Sequence, residues 1–196
     1  MEYDYNKREI VLNRESSNLD KFALDFTKIV EKHVDYVIIS GYVSILLGRS
    51  RVTEDIDMFI KKISKEKFFQ LYDELQEKGF WCLNAENENE VFSYLRDGLA
   101  IRFSRKELPI PNFEVKFPKD FLDEEVFKEF ITVILPEGKL KISSLERNIA
   151  FKRYFLMSDK DEEDALHLER LFKDKLDYNK VNKIRKLILS MRNHGK

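Results

Sequence analysis

Apolar and polar positions along the chain change period several times, and each change marks an element. Over residues 17–33 the apolar positions Leu19, Phe22, Ala23, Phe26, Ile29 and Val30 recur at helical spacing, and Ser17 with Asp20 has the spacing of a capping box, which predicts an amphipathic helix. A short β-rich run at 36–39 follows, then a turn at Ser40 and Gly41. An apolar segment at 42–47 is stopped by Gly48 and leads to a second β-like run at 55–60. This reads as strand, short helix, strand. Ser64 is placed to cap a helix over Phe68, Phe69, Leu71, Tyr72 and Leu75 that ends at Gly79, and residues 80–83 then read as the strand completing a βαβ unit, with Trp81 assigned to the core.

Asp97 and Gly98 lie between residues 92–95 and the alternating Leu99, Ile101 and Phe103, a hairpin signal. Residues 113–117 alternate apolar and charged, as in a strand with one buried face, and the polar face carries Glu114 and Lys116. Beyond Gly138 the pattern turns helical. Ser143 and Glu146 have capping-box spacing before Leu145, Ile149, Lys152 and Leu156. Ser158 with Asp161 opens a helix carrying Ala165, Leu168, Leu171 and Phe172, and a last helix carries Val181, Ile184, Leu187, Ile188 and Met191. The expected fold class is α+β: a mixed β-sheet core flanked by helices over residues 1–140, and a helical C-terminal third, 141–196, packed on it.

Composition narrows the function classes. The 196 residues suit one domain, and 43% hydrophobic with 13% aromatic residues supply a core despite 36% charge. Lys plus Arg number 35 against 36 Asp plus Glu, so no general coat of positive charge serves nucleic acid or membrane. Cys82 is the one cysteine, as suits a reducing compartment, and the charged Met1-Glu-Tyr-Asp-Tyr start lacks the apolar stretch of a signal peptide. A cytoplasmic protein without a membrane partner is expected. Residues 173–196 hold six Lys and two Arg against two Asp. Such a basic last helix could contact an RNA or DNA backbone, although a solvated Lys-rich face has the same composition.

The acids carry the chemistry. On a strand, Asp55 and Asp57 project to one side, roughly 6.6 Å apart, while Ile56 and Met58 face the core. A neighbouring strand at 113–117 would add Glu114. Carboxylates about 6 Å apart repel by roughly 3 kcal/mol per pair at an effective dielectric near 20, so a positive partner is expected among them. Oxygen donors suit Mg²⁺, and two ions would suit in-line nucleotidyl transfer with Glu114 placed to act as base. An isolated Asp-x-Asp is common on surfaces; here Ser40 and Gly41 after a strand offer an anion cradle and Arg51 a forked phosphate ligand just upstream.

Residues 38–58 resemble the signature of the nucleotidyltransferase-fold (DNA polymerase beta-like) superfamily, in which a small-residue turn after one strand leads to Asp-x-Asp on the next. The arrangement of Arg51, Thr53, Asp55 and Asp57 is most similar to the minimal branch that includes AbiEii and MenT-type toxins. Phe113-Glu-Val115 looks like the third-acid strand. Residues 144–152 and 159–164 are similar to the helical lysine motif and the Arg/Lys-Asp-x-x-Asp that follows it. The turn here is Ser-Gly followed by Tyr42, and the third acid is Glu. The resemblance, over roughly 28–172, implies a nucleotidyltransferase-like fold in which Asp55, Asp57 and Glu114 hold Mg²⁺ and perform the chemistry. It assigns Ser40, Gly41, Arg51, Thr53 and Lys152 to the nucleotide, with Asp161 and Asp164 positioning Lys152 or the nucleotide. The expected activity is Mg²⁺-dependent transfer of NMP from an NTP to a hydroxyl acceptor, an RNA end such as a tRNA acceptor stem or a protein. The setting would be a toxin–antitoxin or defence system with an antitoxin or cognate partner protein. The alternative is a non-catalytic nucleotide- or partner-binding protein that keeps the fold.

Overall fold

The computed structural model describes residues 1–194. Among them nine strands form one mixed sheet: β1 (Glu2–Asp4), β2 (Glu9–Val11), β3 (Tyr36–Ile38), β4 (Asp55–Ile60), β5 (Phe80–Cys82), β6 (Ile101–Arg105), β7 (Leu108–Lys116), β8 (Phe130–Leu135) and β9 (Gly138–Ser143). Their order is β1-β2-β8-β9-β3-β4-β7-β6-β5. Strand β4 is central, antiparallel to β3 and parallel to β7. Its Ile56, Met58 and Ile60 are fully buried.

The α1 helix (Asn18–His33) starts at Ser17, whose hydroxyl accepts from Asp20 N at 3.1 Å while the Asp20 carboxylate accepts from Ser17 N at 2.8 Å. Those reciprocal bonds satisfy donors the helix leaves open. Its apolar face covers the sheet, with Phe26 stacked on Phe113 of β7 at 4.2 Å between ring centroids. The short α2 (Gly41–Leu46) joins β3 to β4, and α3 (Lys65–Glu77), capped by Ser64, joins β4 to β5. After α4 (Glu88–Arg96) and α5 (Phe121–Glu124), the last third holds α6 (Leu145–Phe151), α7 (Asp159–Phe172) and α8 (Tyr178–His194). A π-helical turn, Lys152–Leu156, extends α6 and ends at Met157 with φ 63°.

Several expectations are corrected. Residues 92–95 are helical, not a hairpin strand. Asn87 caps α4 through Asn89 N and Glu90 N, Val91 and Leu95 share its buried face, and Gly98 with φ 76° closes that helix. The hairpin partner of β6 is β7. Strand β7 begins five residues before 113, and the hairpin of β8 with β9 and the strands β1 and β2 go beyond the elements read from the sequence. The cap of α6 is Ser144, which accepts from Arg147 N at 3.3 Å, whereas Ser143 Oγ accepts from Asn148. Trp81 is 48% exposed, because β5 is an edge strand and Trp81 is on its outer face. Strand β9 runs across residue 140. No helix among the described residues is long and apolar enough to cross a membrane.

Candidate active site

The parallel pairing of β4 and β7 sets Asp57 directly opposite Glu114, with Asp55 opposite Asn112 and Phe59 opposite Lys116. Residues two apart on a strand share a face. Asp55, Asp57, Glu114 and Lys116 therefore stand on one face, and Ile56 and Met58 on the other. Arg102 of β6 comes level with Glu114 from the far side. Thr53 Oγ1 donates to the backbone and carboxylate oxygens of Asp55 at 3.0 and 3.3 Å, so Thr53 supports an acid.

The sequence reading left out what neutralises these acids. The Lys116 ammonium donates to Asp57 Oδ1 at 3.1 Å and pairs with Glu114, while Arg102 forks onto Glu114 Oε2 at 2.9 and 3.2 Å. Burial pushes the Asp57 carboxyl above its ordinary value, outweighing the pull of Lys116, and the charges of Glu114 and Asp55 push the same way. Burial acts likewise on Glu114, but hydrogen bonds from Lys116 and Arg102 hold it below the usual carboxylate range. The donor set is hard carboxylate oxygen, suited to a divalent ion such as Mg²⁺. Asp57 and Glu114 already enclose a cation, so the set fits such an ion once the ammonium gives way. As they stand, no group of three or more His, Cys, Asp and Glu among the described residues is gathered to hold a metal.

Ser40 precedes α2 with φ 64° and ψ −136°, a conformation strained for a residue with a side chain. Gly41 follows, and the Arg51 guanidinium occupies the place that a Cβ there would take. Arg51 in turn reaches Asp164 Oδ2 at 3.2 Å, and its buried Nε has no partner among the described residues. Asp164 is fully buried and serves as a hub. It also pairs with Arg49 and accepts from Lys152 Nζ at 2.6 Å; Lys152 donates as well to Asp161 at 3.3 Å. Asp161 is held in place by Ser158 in a capping box. Asp161 and Asp164 thus meet the Lys152 amine, 1% exposed in its side chain, from two sides, the pairing that a buried polar group needs.

A cavity of about 320 Å³ opens beside the acids. Its lining includes Ser40, Asp57, Lys116 and Lys152, and also Arg147, Phe151, Phe155, Ile188 and Met191. Arg147, 7% exposed, lies over the Phe151 ring at 4.2 Å and pairs with Asp123 at 3.8 Å. Burial lowers its pKa to about 10. The sequence singled out neither Lys116 nor Arg147 as a site residue. For Lys116 the signal was available, since it shares the polar face of its strand with Glu114.

Solved structures share this architecture. A nucleotidyltransferase-like antigenic protein from Paracoccidioides brasiliensis matches with a TM-score of 0.51 and 18% identity, over 89% of this chain and 88% of that one. ANT(2")-Ia in complex with adenylyl-2"-tobramycin matches with a TM-score of 0.51 and 13% identity, over 90% and 99%. The solution structure of the antibiotic-resistance factor ANT(2'')-Ia gives 0.52 and 13%, over 89% and 92%. At such identities the likeness shows the fold, which is nucleotidyltransferase-like. No protein-family model matches the sequence, and a comparison with curated proteins finds no relative.

Proposed function

We propose that the protein is a nucleotidyltransferase that moves NMP from an NTP to a hydroxyl acceptor and releases pyrophosphate. The observation that carries this reading is Asp57 facing Glu114 across adjacent parallel strands, with Asp55 on the same face and Ser40 and Lys152 in the adjoining cavity. Asp55, Asp57 and Glu114 would hold Mg²⁺, one ion or two, which when bound supplies Lewis acidity at the transferring phosphoryl group. Glu114 takes the proton from the acceptor hydroxyl as its oxygen bonds to the α-phosphorus and the bond to the β-phosphate breaks. Ser40 and Gly41 receive the phosphates, with Thr53 steadying Asp55. Arg51 and Lys152, gathered by Asp164 and Asp161, place positive charge beside that turn. Phe151 and Phe155, which also line the cavity, offer aromatic faces for the base.

The sequence resemblance favours an RNA end or a protein hydroxyl as acceptor, in a toxin–antitoxin or defence setting with a cognate partner. The adenylyl-2"-tobramycin bound to ANT(2")-Ia is an NMP joined to a small molecule, and such an acceptor belongs to the same chemistry. The test is incubation of the protein and Mg²⁺ with each NTP labelled at the α-phosphate, together with total RNA, total protein or tobramycin. Transfer of label that is lost in Asp57→Asn supports the reading; absence of transfer to every acceptor counts against it. A second reading, nucleotide binding without catalysis, is favoured by the pairing of Lys116 with both Asp57 and Glu114 and of Arg102 with Glu114. It expects calorimetry to show NTP binding that Mg²⁺ does not tighten.

A further inference from the structure

Lys116 is two residues beyond Glu114 on β7, and its ammonium sits between Asp57 and Glu114. That is the place a cation shared by those two carboxylates would take, and an ammonium and a divalent ion cannot share it, because like charges at contact repel strongly. Lys116 is 27% exposed in its side chain and lines the same cavity as Ser40 and Lys152. Its flexible four-carbon stem can therefore carry the charge from the acids into the cavity without moving the strand. Arg102 approaches Glu114 from the other side and lies outside the cavity lining, so it has no such second position there.

We propose that Lys116 is a positioning residue that keeps the divalent-ion place between Asp57 and Glu114 filled while no nucleotide is bound, and moves to the triphosphate when metal and NTP arrive. The inference rests on the nucleotidyltransferase reading. While the ammonium is in place the acids are held together, and a divalent ion alone must displace it. A triphosphate offers the ammonium another anionic partner, so metal and nucleotide reinforce each other's binding, and by linkage the reinforcement is mutual. Removing the ammonium should then tighten metal binding to the free protein and weaken triphosphate binding, a pair of opposite changes that loss of a structural contact would not produce.

The test is Mn²⁺ titration of the full chain, followed by electron paramagnetic resonance without nucleotide, and a separate calorimetric titration with inorganic triphosphate. Lys116→Met is expected to bind Mn²⁺ about tenfold more tightly than wild type, within the range usual for coupled sites, and to bind triphosphate more weakly. Lys116→Arg, which keeps a cation, is expected to remain as weak for Mn²⁺ as wild type. Lys116→Gln serves in place of Lys116→Met if the latter does not fold. An unchanged or lower Mn²⁺ affinity on losing the ammonium overturns the inference alone, provided that Asp57→Asn with Glu114→Gln abolishes Mn²⁺ binding. If that double variant binds Mn²⁺ like wild type, the metal reading fails, and the role of Lys116 fails with it.

Discussion

Tyr42, in the first turn of α2, donates its hydroxyl to Asp20 Oδ1 of α1 at 2.7 Å, and both side chains are 1% exposed. Asp20 also accepts from Arg14 at 2.6 Å, and Arg14 reaches on to the Leu46 carbonyl at the end of α2. The helix that follows the Ser40 turn is thus tied at both ends to the cap of α1. A bulky residue just after the turn serves as an anchor: it points inward, away from the space beside Ser40.

Tyr42→Phe deletes one partner of a buried, charge-assisted hydrogen bond and should cost about 1–3 kcal/mol. Urea unfolding measures it, and a change below about 0.5 kcal/mol would contradict the anchoring role.

Asp20→Asn should be destabilising in a pH-dependent way. Burial would raise the Asp20 carboxyl, but hydrogen bonds from Arg14, Tyr42 and Ser17 prevail and hold it below 3.8. A depressed folded value stabilises the protein above the unfolded value and ceases to do so as pH falls through the folded one. The stability gap between wild type and Asp20→Asn should therefore be full at pH 6 and narrow below pH 3.8, as read from melting temperatures across that range.

Gly41→Ala should loosen nucleotide binding through Arg51. The added methyl drives the guanidinium off its place beside the turn and away from Asp164, while alanine favours the helix by about 1 kcal/mol. Calorimetry should show weaker NTP binding in a protein whose unfolding free energy changes little.

Asp164→Ala should be costly in any buffer. It strands Lys152 and withdraws a partner from Arg49 and Arg51, a loss of about 3–5 kcal/mol typical of broken buried pairs. A melting temperature near that of wild type would rule out the hub.

Asp57→Asn should lower transfer by more than about 100-fold, the upper range for residues that merely orient metal ligands, while sparing stability. Three acids face two cations here, so removing one negative charge leaves the cluster neutral. A large stability loss would make Asp57 a structural residue.

How much of this was readable depends on the scale of each signal. The alternation in β4 and β7 made the adjacency of Asp57 and Glu114 an inference from pattern alone, because a buried face fixes register. The partners of Asp164 lie 12 to 115 residues away, and no local period encodes such pairing. Residues 92–95 misled because an Asp-Gly pair ends a helix as readily as it turns a hairpin, and the Asn87 cap that decides between them comes earlier in the chain. Strands β1 and β2 have three residues each, too short to display a period. The alternating burial of β8 does carry a strand signal, with Pro136 and Glu137 after it as a turn.

Ile188 and Met191 bring α8 into the wall of the cavity, more than 70 residues along the chain from Glu114. The acids and the contour of the space they serve are thus specified by separate stretches of sequence. On the proposed reading, substitutions confined to one C-terminal helix would reshape what the cavity admits without disturbing the strands that hold the charges, leaving selectivity and chemistry free to diverge independently.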